Sequence, residues 1–231
     1  MVARMSESFS RRAFLGIAVT SFAAVGCGTD VPTHVEVALA RPSTPAEALR
    51  ILLDGNARYA AGTPDRPDQT TARRVSLAQA QQPIAAVLGC ADSRVAPELL
   101  FDVGIGDLFT NRVAGNLADE HTIGSIEYAV AVLGVQLVVV LGHERCGAVR
   151  EAVDRAAGGA TAPGHIESLV DAIRPAVDEI RGQGGDEIDN AVRANIRRVV
   201  AELAASGPIL ARATIVGARY DLDEGRVEIV T

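Results

Sequence analysis

The sequence predicts an α/β fold in which a mostly parallel central β-sheet is flanked by helices and ends in a C-terminal edge hairpin. Short apolar runs rich in Val, Ile, Leu and Ala alternate with longer amphipathic stretches along most of the chain. Strands that alternate with helices favour a parallel sheet covered on both faces. Only 3% of the 231 residues are aromatic and Trp is absent. Aliphatic side chains must therefore form the core, as is typical of strands buried on both faces.

Composition and charge narrow the class of protein. With 48% hydrophobic residues, a chain of this length can form one domain with a large core. The formal net charge is −7, and every one of the 22 basic residues is Arg. The sequence has no basic stripe interleaved with aromatic residues, so we expect no nucleic-acid partner.

The first helix is predicted over residues 44–61. Ser43 or Thr44 can cap its N-terminus, with Pro45 in the first turn and Glu47 close behind. Gly62, followed by Thr and Pro, ends it. A polar loop over residues 64–74 and a short helix over residues 75–81 then lead into the first strand.

Strand and helix signals alternate through the rest of the chain. Strands are predicted at 84–89, 107–112, 136–142, 214–219 and 226–230, and helices at 97–101, 122–133, 146–157, 166–181 and 187–205. The last two strands flank a turn rich in Asp and Gly, which indicates an antiparallel hairpin at the sheet edge. If the first and third strands are neighbours, the loops that follow them meet at the carboxyl edge of the sheet, where ligands gather in such folds.

The first 27 residues are predicted to be a twin-arginine signal peptide. Residues 10–15 read SRRAFL, and the apolar run that follows them is shorter than the roughly 20 residues that span a bilayer. The run ends in small residues before Cys27, which resembles a lipobox and predicts a lipid anchor on that cysteine. Cleavage near Ala24 and a plain N-terminal anchor are the alternatives. Residues 28–43 are predicted to be a flexible spacer, and the protein is expected to be exported.

Two short segments carry the candidate metal ligands. Cys90 follows the first predicted strand, and His143 and Cys146 follow the third. Two thiolates and one imidazole suit Zn²⁺, and three protein ligands with one exchangeable position are the pattern of catalytic zinc sites. The fourth position could hold water or Asp92.

Asp92 and Arg94 form a candidate catalytic pair beside these ligands. Two positions apart in a turn, they can form a charge-assisted hydrogen-bonded pair. The guanidinium would lower the pKa of the carboxyl group and keep it ionised. An ionised carboxylate beside a zinc-bound hydroxide can accept its proton in a hydrogen bond and orient its lone pair.

Together the two segments, Cys-x-Asp-x-Arg and His-x-x-Cys-Gly, resemble the β-class carbonic anhydrases. Further stretches resemble the family's sequence in the same order: residues 53–59 (LDGNARY), 106–116, 124–129 and 216–225. The resemblance covers roughly residues 45–231. It implies that residues 44–231 form a catalytic domain of this family, assembled as a homodimer or a multiple of dimers.

The resemblance also implies a reaction and a set of ligands. Zinc would be bound by Cys90, His143 and Cys146, and Asp92 would either ligate zinc in a closed, inactive form or pair with Arg94 in an open form. The reaction would be the reversible hydration of CO₂ to bicarbonate and a proton by zinc-bound hydroxide.

A further implied contact involves the helix that follows the second segment. The N–H of Gly147, at its N-terminus, would donate a hydrogen bond to substrate or bicarbonate oxygen.

Two other functions stay open from the sequence. Relatives on this scaffold hydrolyse carbonyl sulfide or carbon disulfide, with pocket access rather than ligands making the difference. Alternatively, the chain is a non-enzymatic zinc or redox surface lipoprotein in which Cys90 and Cys146 exchange between thiol and disulfide. In an oxidising compartment two free thiols tend to become a disulfide, and a metal loaded before export would protect them.

Overall fold

The computed structural model describes residues 41–230. The predicted signal peptide, Cys27 and most of the predicted spacer therefore lie outside the described residues. In the described part, five strands form one sheet in the order β2-β1-β3-β4-β5. Their bounds are β1 (Ala85–Gly89), β2 (Leu108–Arg112), β3 (Leu137–His143), β4 (Thr214–Tyr220) and β5 (Val227–Val230).

The pairing of these strands confirms the predicted fold class. β1, β2, β3 and β4 are parallel to one another, and β5 runs antiparallel to β4 as the edge hairpin. β1 and β3 are adjacent, which was the condition for the two ligand-bearing segments to meet.

Helices cover both faces of the sheet. They are α1 (Pro45–Ala60), α2 (Thr71–Ser76), α3 (Pro97–Leu100), α4 (Glu120–Ala131), α5 (Gly147–Ala156), α6 (Ile166–Glu179) and α7 (Glu187–Ala205), with 3₁₀ turns at Ala114–Asn116 and Leu210–Arg212. None of the helices in the described residues has the length and hydrophobicity needed to cross a lipid bilayer.

Side chains of the central strands alternate between two cores. In β3, Val138 and Val140 pack in the core shared with α4 to α7, whereas Leu137, Val139 and Leu141 pack in the core shared with α1 and α3. All five are at most 1% exposed. Successive side chains of a strand point to opposite faces, so a strand buried on both faces is apolar throughout. This explains the continuous apolar runs in the sequence.

The first helix begins and docks through specific contacts. Thr44 is its N-cap, with the side-chain oxygen accepting from the Glu47 N–H at 3.2 Å. Midway along the helix, Asn56 donates to the carbonyl oxygens of Leu100 at 3.0 Å and Gly225 at 2.9 Å. One buried amide therefore holds α1 to both α3 and the β4–β5 turn.

Some predicted boundaries were wrong. The short helix predicted at 75–81 lies at Thr71–Ser76, because the Thr70 side chain caps the Arg73 N–H at 3.1 Å and starts the helix earlier, within the predicted loop. Similarly, α4 begins two residues early because Asp119 accepts from the Thr122 N–H at 2.8 Å. The 3₁₀ turn at Ala114–Asn116 was not predicted.

Candidate metal centre

The carboxyl ends of β1 and β3 bring three buried ligand atoms together. Cys90 directly follows β1, His143 is the last residue of β3, and Cys146 is the N-cap of α5. All three side chains are at most 4% exposed. The two sulfurs and one imidazole nitrogen lie within 4.8 Å of one another, and no other metal-binding group of His, Cys, Asp or Glu occurs among residues 41–230.

The imidazole of His143 has a defined tautomer. Its Nδ1 lies 2.9 Å from the backbone carbonyl oxygen of Glu144. A carbonyl only accepts, so Nδ1 carries a proton, and in the neutral imidazole Nε2 then presents its lone pair. Nε2 is fully buried and has no hydrogen-bond partner. An orphaned buried nitrogen is costly, whereas metal-bound histidines commonly donate their other N–H to a carbonyl.

The two sulfurs are held as a pair. Cys90 Sγ and Cys146 Sγ lie 4.0 Å apart without a disulfide bond, and Cys90 Sγ accepts from the Gly115 N–H at 3.4 Å. The hydrogen bond between the sulfurs lowers the pKa of Cys90 to about 4 and raises the pKa of Cys146, because the first thiolate keeps the second protonated. A bound divalent cation would offset the repulsion between two thiolates and allow both sulfurs to be deprotonated, as metal ligation requires.

These observations test whether the residues fit a metal. Two buried sulfurs and one imidazole nitrogen in close mutual approach match the donors that Zn²⁺ prefers in a three-ligand site. The orphaned Nε2 of His143 faces this space. Cys90, His143 and Cys146 could therefore hold zinc.

Asp92 and Arg94 lie beside this group as a bidentate pair. Arg94 donates from Nε to Oδ1 at 2.9 Å and from Nη2 to Oδ2 at 2.7 Å, and its backbone N–H also donates to Oδ1. These hydrogen bonds hold the pKa of Asp92 well below its usual range, despite partial burial. Oδ2 of Asp92 lies 3.7 Å from Nε2 of His143. Asp92 is outside the three-residue group, and its role as a fourth ligand stays a prediction.

Gly147, the other predicted site residue, is the first residue of α5 and is exposed. Its N–H is one of the amides that a helix leaves without an internal partner at its N-terminus. A Cβ at this position would meet nothing within 4 Å. Its predicted contact with substrate stays a prediction.

Arg112 is a positioning residue that the sequence analysis missed. It is the last residue of β2 and donates to the backbone carbonyl oxygens of Cys90 at 2.9 Å and Asp92 at 2.5 Å. It therefore holds the loop that carries both residues. The contact follows from the parallel register, in which Arg112 pairs with Gly89 at the end of β1, and this register is known only from the structure.

Comparisons with known proteins agree with this geometry. A family model described as carbonic anhydrase matches residues 85–227. A carbonic anhydrase of Mycolicibacterium smegmatis is 43% identical over 193 residues, which cover 81% of this chain and 94% of that protein. A solved structure described as Coccomyxa β-carbonic anhydrase in complex with acetazolamide superposes with a TM-score of 0.62 at 26% identity, covering 79% of this chain and 86% of that one. The chain belongs to the β-carbonic anhydrase family.

Two further relatives extend the likeness. Carbonic anhydrase 2 of Mycobacterium tuberculosis is 41% identical over 192 residues, or 80% of this β-carbonic anhydrase and 93% of that protein. A β-carbonic anhydrase of Sordaria macrospora, described as tetrameric, shares the fold with a TM-score of 0.61 at 21% identity, covering 79% of this chain and 96% of that one. The predicted family and the predicted enzyme class, carbonic anhydrase, are thus confirmed.

Proposed function

We propose that this β-carbonic anhydrase catalyses the reversible hydration of CO₂ to bicarbonate and a proton, with Zn²⁺ held by Cys90, His143 and Cys146. One observation carries the proposal: two buried sulfurs and an imidazole nitrogen lie within 4.8 Å of one another, and Nε2 of that imidazole is buried without a hydrogen-bond partner. Membership of the carbonic anhydrase family supports the choice of substrate.

The chain's own residues have distinct roles in this reaction. When bound, zinc supplies a nucleophile at neutral pH by lowering the pKa of a coordinated water to about 7. The Asp92 carboxylate accepts a hydrogen bond from the attacking water and orients its lone pair towards CO₂. Arg94 keeps that carboxylate ionised and fixes its plane through two hydrogen bonds.

The N-terminus of α5 is suited to the product. Negative charge develops on the substrate oxygens as CO₂ becomes bicarbonate. Amides at the start of a helix favour an anion through their free N–H groups and the helix dipole. We expect the Gly147 N–H, at the first residue of α5, to donate to such an oxygen.

The fourth ligand position decides between an open and a closed site. The bidentate contact between Asp92 and Arg94 supports the open form, in which the position is free for water. In the closed form Asp92 would leave Arg94 and ligate the metal. Loss of the CO₂ hydration rate at low pH also follows from protonation of the nucleophile, so closure would instead be revealed by a cobalt-substituted sample whose visible spectrum shows a change of ligand set as the pH falls.

The test is stopped-flow CO₂ hydration on purified protein of measured zinc content, over a range of pH. We expect a rate far above that of buffer, rising with pH as the nucleophile forms. Stoichiometric zinc with no rate above buffer would contradict the proposal. Hydrolysis of carbonyl sulfide or carbon disulfide under the same conditions would then favour that alternative. If the purified protein instead lacked zinc and formed a reversible Cys90–Cys146 disulfide, the non-enzymatic redox function would be favoured.

We also propose that the enzyme forms a homodimer or a multiple of dimers. β2 is an edge strand, and exposed edges are usually covered or paired. The adjoining helices carry exposed apolar side chains: Leu99 on α3 is 59% exposed and Tyr128 on α4 is 47% exposed. Light scattering coupled to size-exclusion chromatography tests this, and a monomer at micromolar concentration would contradict it.

Export by the twin-arginine route and lipid anchoring at Cys27 are further proposals, supported by the sequence of residues 10–15 and the small residues before the cysteine. Replacing Arg11 and Arg12 by Lys should keep the protein in the cytoplasm of a producing bacterium. Cys27→Ala should leave export intact and move the protein from the membrane fraction to the soluble one. Unchanged fractionation of either variant would contradict the corresponding proposal.

A further inference from the structure

We propose that Glu144 is a positioning residue through which the β4–β5 turn holds His143 and Cys146 in metal-binding geometry. We call Glu144, Arg145 and turn residues 221–225 the brace. The inference rests on the proposed metal centre and goes beyond it, because none of these residues contributes a ligand atom to the Cys/His/Cys group.

The backbone of Glu144 joins the histidine to β4. Its N–H donates to the Tyr220 carbonyl at 2.9 Å, and its own carbonyl oxygen accepts from His143 Nδ1 at 2.9 Å. β3 and β4 are in register to their last pair, His143 with Tyr220. The carbonyl that fixes the histidine tautomer is thus itself fixed by the neighbouring strand.

The side chain of Glu144 joins the same loop to the turn. Its Oε2 accepts from the Leu222 N–H at 3.1 Å, and its Oε1 accepts from Arg145 Nη1 at 3.0 Å. The side chain is 19% exposed. One carboxylate therefore links the metal-binding loop to the residues that directly follow β4.

Arg145 adds a second link between the metal-binding loop and the turn, and its own backbone is strained. Its φ is +51°, in the left-handed region that non-glycine residues rarely adopt. This conformation lies between His143 and Cys146, where the chain turns from β3 into α5. The guanidinium donates to both carboxylate oxygens of Asp223, at 2.8 and 2.7 Å.

The turn that receives these contacts is itself well defined. Asp221 Oδ1 accepts from the N–H groups of Asp223 at 3.0 Å and Glu224 at 2.8 Å. The Gly225 N–H donates to the Asp221 carbonyl at 3.0 Å. The loop between His143 and Cys146 is held by this turn and therefore has less conformational freedom. Replacing a residue that orients metal ligands typically changes metal affinity 10- to 100-fold.

The experiment measures metal retention rather than activity alone. Zinc-loaded wild type and the variants Glu144→Ala, Glu144→Gln and Asp223→Ala are mixed with excess chromophoric chelator, and the zinc dissociation rate is recorded. The matched control is Glu179→Ala, which removes a half-exposed ion pair between α6 and α7, 3.0 Å long in the structure. Cobalt-substituted samples add a visible spectrum that reports ligand geometry.

We expect Glu144→Ala to release zinc about 10- to 100-fold faster than the control, with an altered cobalt spectrum. Glu144→Gln should restore slow release, since the amide oxygen can still accept from Leu222. The zinc dissociation rate of Asp223→Ala should lie between those of Glu144→Ala and Glu144→Gln. If Glu144→Ala proves insoluble, Asp223→Ala against Glu179→Ala decides the question.

Release rates and spectra of Glu144→Ala and Asp223→Ala that match those of Glu179→Ala would overturn the brace while leaving the metal centre intact. A wild type that binds no zinc would overturn the proposed metal centre instead. The two failures are therefore distinguishable.

Discussion

Each of the three metal-binding side chains is held by a different backbone group. An amide, Gly115 N–H, contacts the sulfur of Cys90, and a carbonyl, Glu144 O, contacts the imidazole of His143. Cys146 is the N-cap of α5, so its position is set by the start of that helix. The ligands are thus oriented by main-chain groups that no side-chain substitution removes directly.

Replacing Cys146 by Ser should abolish stoichiometric zinc binding. A serine hydroxyl stays protonated at neutral pH and is a poor zinc ligand compared with a thiolate. Metal analysis of the purified variant by mass spectrometry measures this. Ala156→Ser, at the exposed end of the same helix, should keep its zinc. A full complement of zinc in Cys146→Ser would show that the ligand assignment is wrong.

Replacing Asp92 by Asn should keep zinc but lower the CO₂ hydration rate by about 100-fold or more, the range for a positioned proton acceptor. The lowered pKa of Asp92 keeps the wild-type carboxylate ionised throughout the neutral range. The ratio of the two rates should therefore not change between pH 6 and pH 9. A ratio that approached unity at either end would argue against a role for the ionised carboxylate. Asp54→Asn, on the exposed surface of α1, is the control.

At the scale of elements, α1 shows how a close approach overrides helix propensity. A Cβ on Gly55 would lie 1.8 Å from the carbonyl oxygen of Phe101. Ala is otherwise the better helix former by about 1 kcal/mol. The glycine therefore lets the helix dock against the end of α3.

Gly55→Ala should destabilise the protein by about 3 kcal/mol or more, because the backbone must move to admit the methyl group. Gly124→Ala in α4, where a Cβ meets nothing within 4 Å, should instead stabilise it by up to about 1 kcal/mol. Urea unfolding of both variants measures the free energies. Equal changes in unfolding free energy for Gly55→Ala and Gly124→Ala would contradict the close approach of Gly55 to the Phe101 carbonyl.

The ion pairs between α7 and the terminal hairpin predict a pH-dependent stability. Arg219 is 7% exposed and donates to Asp189 at 2.5 Å. Burial alone would raise the pKa of Asp189, but hydrogen bonds from Arg193 and Arg219 together lower it. A lowered carboxyl pKa contributes stability above the unfolded value of about 3.9, and that contribution is lost as the pH falls through the folded value.

Asp189→Asn should therefore cost about 1–3 kcal/mol at pH 7, the range for hydrogen bonds to charged groups. The difference in unfolding free energy between the variant and the wild type should decrease as the pH falls below 4. Urea unfolding at several pH values measures it. Asp54→Asn, which breaks an exposed pair with Arg50 within α1, should cost less than about 0.5 kcal/mol at every pH. If the loss of unfolding free energy caused by Asp189→Asn did not depend on pH, the loss could not be attributed to the ion pair with Arg219.

Elements with a strong apolar pattern could be predicted from the sequence, and those defined by polar contacts could not. The strands and the longer helices have continuous or periodic apolar residues, so their positions followed within one or two residues. The α2 helix has no buried residue, and only the capping side chain of Thr70 fixes its start. The turn at Ala114–Asn116 depends on Gly115 at φ +76° and Asn116 at φ +46°, which have no periodic signature.

The same distinction applies to the site. Its ligands and the Asp92–Arg94 pair follow from residue type and spacing. Arg112 and Glu144 act across the sheet, on partners distant in sequence, so their contacts required the strand order. The candidate ligands and the Asp92–Arg94 pair could therefore be found from the sequence more readily than the residues that hold them in place.

At the scale of the whole molecule, metal binding and folding should be coupled. The ligand atoms come from the ends of two strands and meet only when β1 and β3 pair. No protein group among residues 41–230 forms a hydrogen bond with the buried Nε2 of His143, so a bound metal would satisfy this atom in the folded state. A ligand that binds only the folded state stabilises it by about 2.7 kcal/mol at 100 times its dissociation constant.

Chelation of zinc should accordingly lower the melting temperature, and added zinc should raise it in a concentration-dependent manner. Differential scanning calorimetry across a series of free zinc concentrations measures this. Cys146→Ser should show no such dependence. Identical melting temperatures of the zinc-bound and chelated wild type would show that the metal does not bind the folded state preferentially.

The position of β4 has a consequence for biosynthesis. This strand is synthesised well after β3, yet it pairs with β3 along its full length and supports the loop after His143. A ribosome that has completed Cys146 has supplied every ligand atom but not the neighbour that orders them. Premature termination before residue 214 would thus leave the donors without the strand that supports their loop, so we expect stable metal uptake only once β4 has been synthesised.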